Sequence, residues 1–189
     1  MMLVFLLEER SMAALLEGLL PRLVPDHVAF KLIPHDGKTD LEKSIPRKLR
    51  AWQDPTARFI VVRDQDSADC LQVKSRLLDL CTAGARPEAL VRIACRELEA
   101  WYLADLAAVD RAFGTQVASL QNTKKYRVPD RLGSPSHLLA DLVPTFGKVG
   151  GARRLGPLLE LDNPRSPSFA HFVRGVRRVV DEFEADPSG

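Results

Sequence analysis

Four short apolar runs set the frame: MLVFLL at 2–7, HVAFKLI at 27–33, RFIVV at 58–62 and ALVRIAC at 89–95. Each has strand length, and each is followed by a stretch with helical signals. Strands that read as continuous apolar runs are buried on both faces. Their alternation with helices calls for a parallel sheet with helices packed above and below it. The expected fold is therefore α/β: a mostly parallel sheet of about four strands with helices on both faces.

The intervening segments carry recognisable helix punctuation. SMAALLEGLLPRL opens with Ser11 at an N-cap position and spaces its leucines helically. In HDGKTDLEKSIPRKLRAW, Asp36-Gly37 marks a turn, and Thr39 with Glu42 forms a capping box for a helix toward Trp52. A third helix is expected from about Asp66 to Thr82, closed by Gly84 and Pro87. ELEAWYLADLAAV is a fourth. After Phe113 the chain turns polar and rich in Gly, Pro and Ser. SHLLADLVPTF reads as a short helix, and SPSFAHFVRGVRRVVDEFEAD as an amphipathic closing helix. Residues 1–113 are thus read as the α/β core, and 114–189 as a loop-rich, helical C-terminal extension packed on it, in one domain overall.

With 46% hydrophobic and 28% charged residues among 189, the chain can bury a core, and the composition excludes a disordered one. A net charge of +2 gives no global pull toward nucleic acid or membrane, so any such contact must be local. Cys70, Cys81 and Cys95 form no CxxC pair, which argues against a zinc knuckle and a disulfide framework. MMLVFLL lacks a basic leader and runs into Glu8 and Glu9, so it reads as a buried strand. No segment is long enough to span a bilayer. A reducing cytoplasm is the expected compartment.

Ligands of open parallel sheets bind beyond the carboxyl ends of the strands. Here those ends deliver Glu8 and Glu9, then His35 and Asp36, then Asp64 and Asp66, then Glu97 and Glu99. Three of the four carry close acid pairs. Crowded carboxylates raise one another's pKa, and a hard divalent cation, magnesium or manganese, relieves the repulsion. Each acid also has an ordinary role. Asp66 with Asp69 suits a helix start, and Glu97 suits a first helical turn. Glu97 and Glu99 lie about 200° apart on a helix, so only one of them faces a common site. His35 and His137 could serve as a base or ligand, though His35 fits a turn hydrogen bond, and Trp52, Trp101 and Tyr102 fit the core.

An acid after the first strand and a DxD after a later one resembles the Toprim fold of topoisomerases, bacterial primases and overcoming-lysogenization-defect nucleases. More closely, the chain resembles the Toprim-like family called domain of unknown function 4276. EERSM is similar to that family's opening acid-Gly-x-Ser/Thr-acid, with Glu8 as the acid and Ser11 as the hydroxyl. Glu9 stands where glycine is usual, and Met12 where a second acid is usual. DQDSADC matches the DxD at Asp64, Asp66 and Asp69. LEAWYLAD matches the acid-small-Trp stretch and favours Glu99 over Glu97. GSPSHLL, GKVGGA and RSPSF resemble its later segments.

The resemblance implies phosphodiester chemistry with Mg2+ or Mn2+. Glu8, Asp64 and Asp66 would be the catalytic residues, and the same three with Glu99 the metal ligands. It also implies nucleic acid as substrate, an ATPase partner protein, and a role in defence against phage or mobile DNA. Lys148, Arg153 and Arg154, in the glycine-rich GKVGGARRLG, are the expected phosphate contacts; the stretch lacks Walker A spacing. Lys124, Lys125 and Arg127 flank Tyr126 as a second basic cluster. Arg174, Arg177 and Arg178 read as a solvated helix face. A topoisomerase would need a nucleophilic tyrosine and gating domains, and a primase a zinc-binding segment. A dehalogenase-type phosphatase carries DxD after its first strand. The rival to the nuclease is a non-catalytic module of the same fold that binds nucleic acid or a partner. The altered EERSM keeps that rival in play.

Overall fold

Residues 1–185 are described by a computed structural model. The four runs form strands β1 (Met2–Leu7), β2 (Ala29–Pro34), β3 (Ala57–Asp64) and β4 (Leu90–Ala94). They pair in the order β2-β1-β3-β4, every pair parallel. The helices are α1 (Arg10–Leu19), α2 (Lys38–Ala51), α3 (Cys70–Ala83), α4 (Glu99–Leu103), α5 (Leu106–Phe113), α6 (Pro135–Leu142), α7 (Lys148–Leu155) and α8 (Pro167–Ala185).

The period-two alternation of the strands sorts the core into two layers. Leu3, Phe5, Leu7, Ile60 and Val62 face α1 and the helices that follow β4, including α8. Val4, Leu6, Phe59, Val61 and Val91 face α2 and α3. The sheet is therefore covered on both faces, as the apolar runs required. Leu139, Leu155, Phe169 and Phe172, from the segment after residue 113, belong to the same apolar cluster as Phe5. Phe172 lies 6.5 Å from Phe5 and 5.2 Å from Trp101 between ring centroids. The last positions of that segment, 186–189, lie outside the described residues.

Helix starts depart from the sequence expectations at all three positions. Ser11 does not cap α1. It is buried, and its hydroxyl donates to the Glu9 carboxylate. Thr39 and Glu42 do not form a capping box, because α2 starts at Lys38 after Gly37, which holds φ at +92°. The Glu42 carboxylate accepts instead from Arg63 and Arg76, both at 2.7 Å. The third helix starts at Cys70, four residues later than expected, and Asp69 rather than Asp66 is its cap, accepting from the Gln72 N–H at 2.9 Å. Asp69→Ala should cost about 1 kcal/mol, read as a shift in the urea midpoint with an unchanged slope.

A sheet ordered 2-1-3-4 reverses its winding between β1 and β3. The crevice outside the carboxyl ends of those two strands is where such a fold accepts ligands.

Candidate functional site

The β1–β3 crevice is where the acids meet. Glu8 follows β1 and Asp64 ends β3, and the two strands are paired in register. The Asp64 N–H donates to Glu8 Oε2 at 3.0 Å, which ties the two ends together. Glu99, first residue of α4, enters from the chain beyond β4 and is 2% exposed; Asp64 is 7% exposed. Burial pushes the Asp64 carboxyl well above its usual range, and Glu8, Glu99, Glu9 and Asp66 push it further. Burial likewise raises Glu8, against the Asp64 N–H that lowers it, and raises Glu99 against the nearby Lys148. Asp64 Oδ1 and Glu99 Oε2 are buried without a hydrogen-bond partner, and so is the Tyr102 hydroxyl. Burial is the main cause of the raised Tyr102 pKa, followed by Glu99 and Asp64. Its ring belongs to the core, as expected, but its hydroxyl is electrostatically coupled to the acids.

Asp66 stands apart. It lies in the left-handed region at φ +57°, and its N–H donates to the carbonyl of Arg96, itself at φ +64°. Two non-glycine residues in this region face one another across the rim, a geometry that costs energy and clusters at functional sites. The Asp66 carboxylate pairs with Lys38 Nζ at 3.2 Å. It borders a cavity of about 200 Å³ shared with Ser67, Arg96, Glu97 and Gly133. A second cavity of about 290 Å³, on the α1–α7 side, is lined by Glu9, Ser11, His35 and Lys148 among others. Asp64 and Glu99 line neither.

Of the two acids after β4, Glu99 faces the site. Glu97 Oε2 accepts the Ser136 N–H at 2.7 Å and so serves the start of α6. Lys148 reaches the acids from α7, with Nζ 3.5 Å from Glu9. Burial pulls its pKa down, but Glu99, Glu9 and Asp64 outweigh that and hold it above the ordinary lysine value. The other two expected phosphate contacts are engaged elsewhere. Arg153 Nε lies 3.5 Å from Glu17, and the Arg154 guanidinium lies over Phe113. The glycine-rich stretch forms the helix α7. Gly151 packs against the Phe146 ring, and Gly156 against the backbone of Leu15. Tyr126 is buried, so the Lys124–Arg127 cluster offers no exposed ring for stacking.

Two participants lie outside the expected site residues, the Tyr102 hydroxyl, on a ring expected only in the core, and Arg63. Glu9, one of the acids at the first strand end, also faces the cluster. Arg63 is 5% exposed, with Nε 3.8 Å from Glu8 and Nη1 2.7 Å from Glu42. The arginine at the end of an otherwise apolar strand was the available signal. His35 is buried and bonds across the fold rather than within a turn, through Nδ1 to the Leu7 carbonyl of β1 and through Nε2 to Ser44 Oγ of α2, both at 2.8 Å. Trp101 is core, its Nε1 donating to Ser168 at 2.9 Å.

The donor set is chemically suited to a hard divalent cation, since two carboxylate oxygens are buried and unpartnered. In this arrangement it does not close around one. Among the described residues, no group of three or more His, Cys, Asp or Glu side chains is gathered so as to hold a metal ion. None of the described helices is long and apolar enough to cross a membrane.

The family model described as Domain of unknown function (DUF4276) matches residues 7–177, and the chain belongs to that family. No curated protein and no solved structure matches it.

Proposed function

We propose that this member of the DUF4276 family is a divalent-cation-dependent phosphodiester hydrolase of Toprim-like descent, acting on nucleic acid. The observation that carries the reading is the pair of unpartnered carboxylate oxygens, Asp64 Oδ1 and Glu99 Oε2, buried beside the β1–β3 crevice. Buried polar groups left unsatisfied are costly, and a cluster of carboxyls with raised pKa is a functional-site signature. Asp64 and Glu99 would hold magnesium or manganese, with Glu8 and Asp66 as further donors. The ion would polarise the phosphodiester and lower the pKa of water. Glu8, raised by burial and oriented by the Asp64 N–H, is suited to take a proton from the attacking water or return one to the leaving oxygen. Lys148, held beside Glu9 and Glu99, supplies a cation for a substrate phosphate.

The second reading, a non-catalytic binding module, has its own support. Lys148 and Lys38 already neutralise Glu9 and Asp66 by ion pairing, so part of the acid cluster is balanced within the chain.

The experiment is cleavage of single- and double-stranded DNA and RNA with manganese or magnesium, with and without a co-expressed ATPase partner. Wild type should cleave only with the ion, and Glu99→Gln should lower the rate by roughly 10²–10³-fold. Equal residual cleavage by both proteins would identify a contaminant and leave the binding module as the reading.

A further inference from the structure

Arg92 breaks the pattern of β4. It lies between Leu90 and Ala94 on the face that builds the larger apolar cluster, in register with Val62 of β3. An apolar side chain is expected there, and a charge at a period-two core position of an edge strand needs a reason. The structure accommodates it deliberately. Helix α8 packs along β4 and presents Gly175, where a Cβ would stand 2.5 Å from Arg92 Nη2. Arg92 Nε donates to the His171 carbonyl at 2.8 Å, and Nη1 to the Val91 carbonyl at 2.9 Å. These bonds fix the plane of the guanidinium, and no carboxylate pairs with it among the described residues.

Two further arginines stand over it. Arg174 and Arg178 are exposed and four residues apart, so they share one face of α8. Burial lowers the Arg92 pKa, and Arg178 and then Arg174 lower it further, so the three positive charges repel. Among the described residues, Arg178 alone of the three has a carboxylate near it, the solvent-exposed Glu182 at 3.5 Å. By contrast, Arg177 is matched by Asp162 at 2.7 Å. The large apolar side chains exposed among the described residues are Leu71, Val128 and Val149, none of them on α8. The Arg92, Arg174 and Arg178 end of this surface is positive, with the exposed Asp181 and Glu182 about a turn further along α8, and it lacks an apolar centre, which is unlike a protein-docking patch and like a nucleic-acid one. Guanidinium forks match phosphate oxygens in geometry as well as charge.

We propose that Arg92, Arg174 and Arg178 form a second, sequence-independent contact for the phosphate backbone of duplex DNA, along the β4–α8 edge. The proposal rests on the nucleic-acid reading of the acid site but not on catalysis there. Phosphate oxygens would remove the repulsion among the three arginines. Arg92, immobilised by two carbonyls, would set the position that the two exposed side chains follow.

The test is fluorescence anisotropy of a short labelled DNA duplex with the full chain in EDTA, over a series of salt concentrations. Chelation keeps divalent ions and cleavage out of the measurement. Wild type should bind with a steep salt dependence. The Arg174→Ala/Arg178→Ala double variant changes only exposed side chains. It should bind more weakly, with a log–log salt slope reduced by about 1–2, from about 0.9 per phosphate contact. Arg177→Ala removes one positive charge from a paired neighbour and should leave the slope near that of wild type. Absence of duplex binding by wild type, an unchanged slope in the double variant, or an equal loss in Arg177→Ala would each overturn the proposal. Tight binding in EDTA without cleavage in manganese would sustain it while removing the hydrolase reading.

Discussion

Asp64→Asn is expected to raise the melting temperature at neutral pH and, on the proposed cation reading, to abolish the further rise expected of the wild-type protein in magnesium or manganese. The first effect follows from the raised pKa. The folded chain holds the Asp64 proton to higher pH than the unfolded chain does, because burial and then Glu8 and Glu99 disfavour the charge. Stability from this group is therefore fully present below the unfolded pKa and is lost as pH rises through the folded one. Asparagine has no charge to bury, so the variant should lose less stability than wild type between acidic and neutral pH. The second effect follows from mass action: an ion at 100 times its dissociation constant adds about 2.7 kcal/mol to a folded state that alone binds it. Thermal melts of both proteins across pH, with and without the ion, measure both effects. A variant less stable than wild type at neutral pH would contradict the first. A variant that keeps the ion-dependent shift would place the ion away from Asp64.

Phe172→Ala should cost about 3–5 kcal/mol, a large share of the stability of a domain this size. The ring is fully buried between Phe5 of the central strand and Trp101 of α4. Truncation leaves a cavity that three rigid elements cannot collapse to fill. Urea unfolding gives the value. A loss within ~0.5 kcal/mol, as at ordinary surface sites, would mean that α8 is not part of the cooperative core.

The sheet was legible because period and burial agree: apolar runs of strand length, separated by helices, admit few alternatives. Cap positions were less legible. Ser11 and Glu42 have the right chemistry for helix starts, yet the adjacent Glu9 carboxylate takes the first and a buried arginine from β3 takes the second. The rim of acids could be read from strand ends alone. Which acid turns inward could not, because Glu97 is diverted by the Ser136 N–H, 39 residues away in the chain. The glycine-rich surroundings of Lys148 suggest a phosphate contact. Those glycines instead allow α7 to press against α1 and Phe146, which is what carries the lysine to the acids. The Tyr102 hydroxyl left no trace in the apolar pattern that correctly buried its ring.

The position of α8 also sets a timetable. Its Phe172, Val173 and Val176 cover the face of the sheet that carries Phe5 and Val62, yet they lie roughly 80 residues beyond the end of β4. At ~5–20 residues per second, a ribosome takes on the order of 4–16 s to make that stretch. Throughout that interval the nascent sheet can complete its parallel pairing and receive α1, but it lacks the part of its cover that α8 supplies. Chaperones that shield apolar surface have their opportunity there, and a ribosome stalled between α5 and α8 leaves a chain destined for them or for proteolysis.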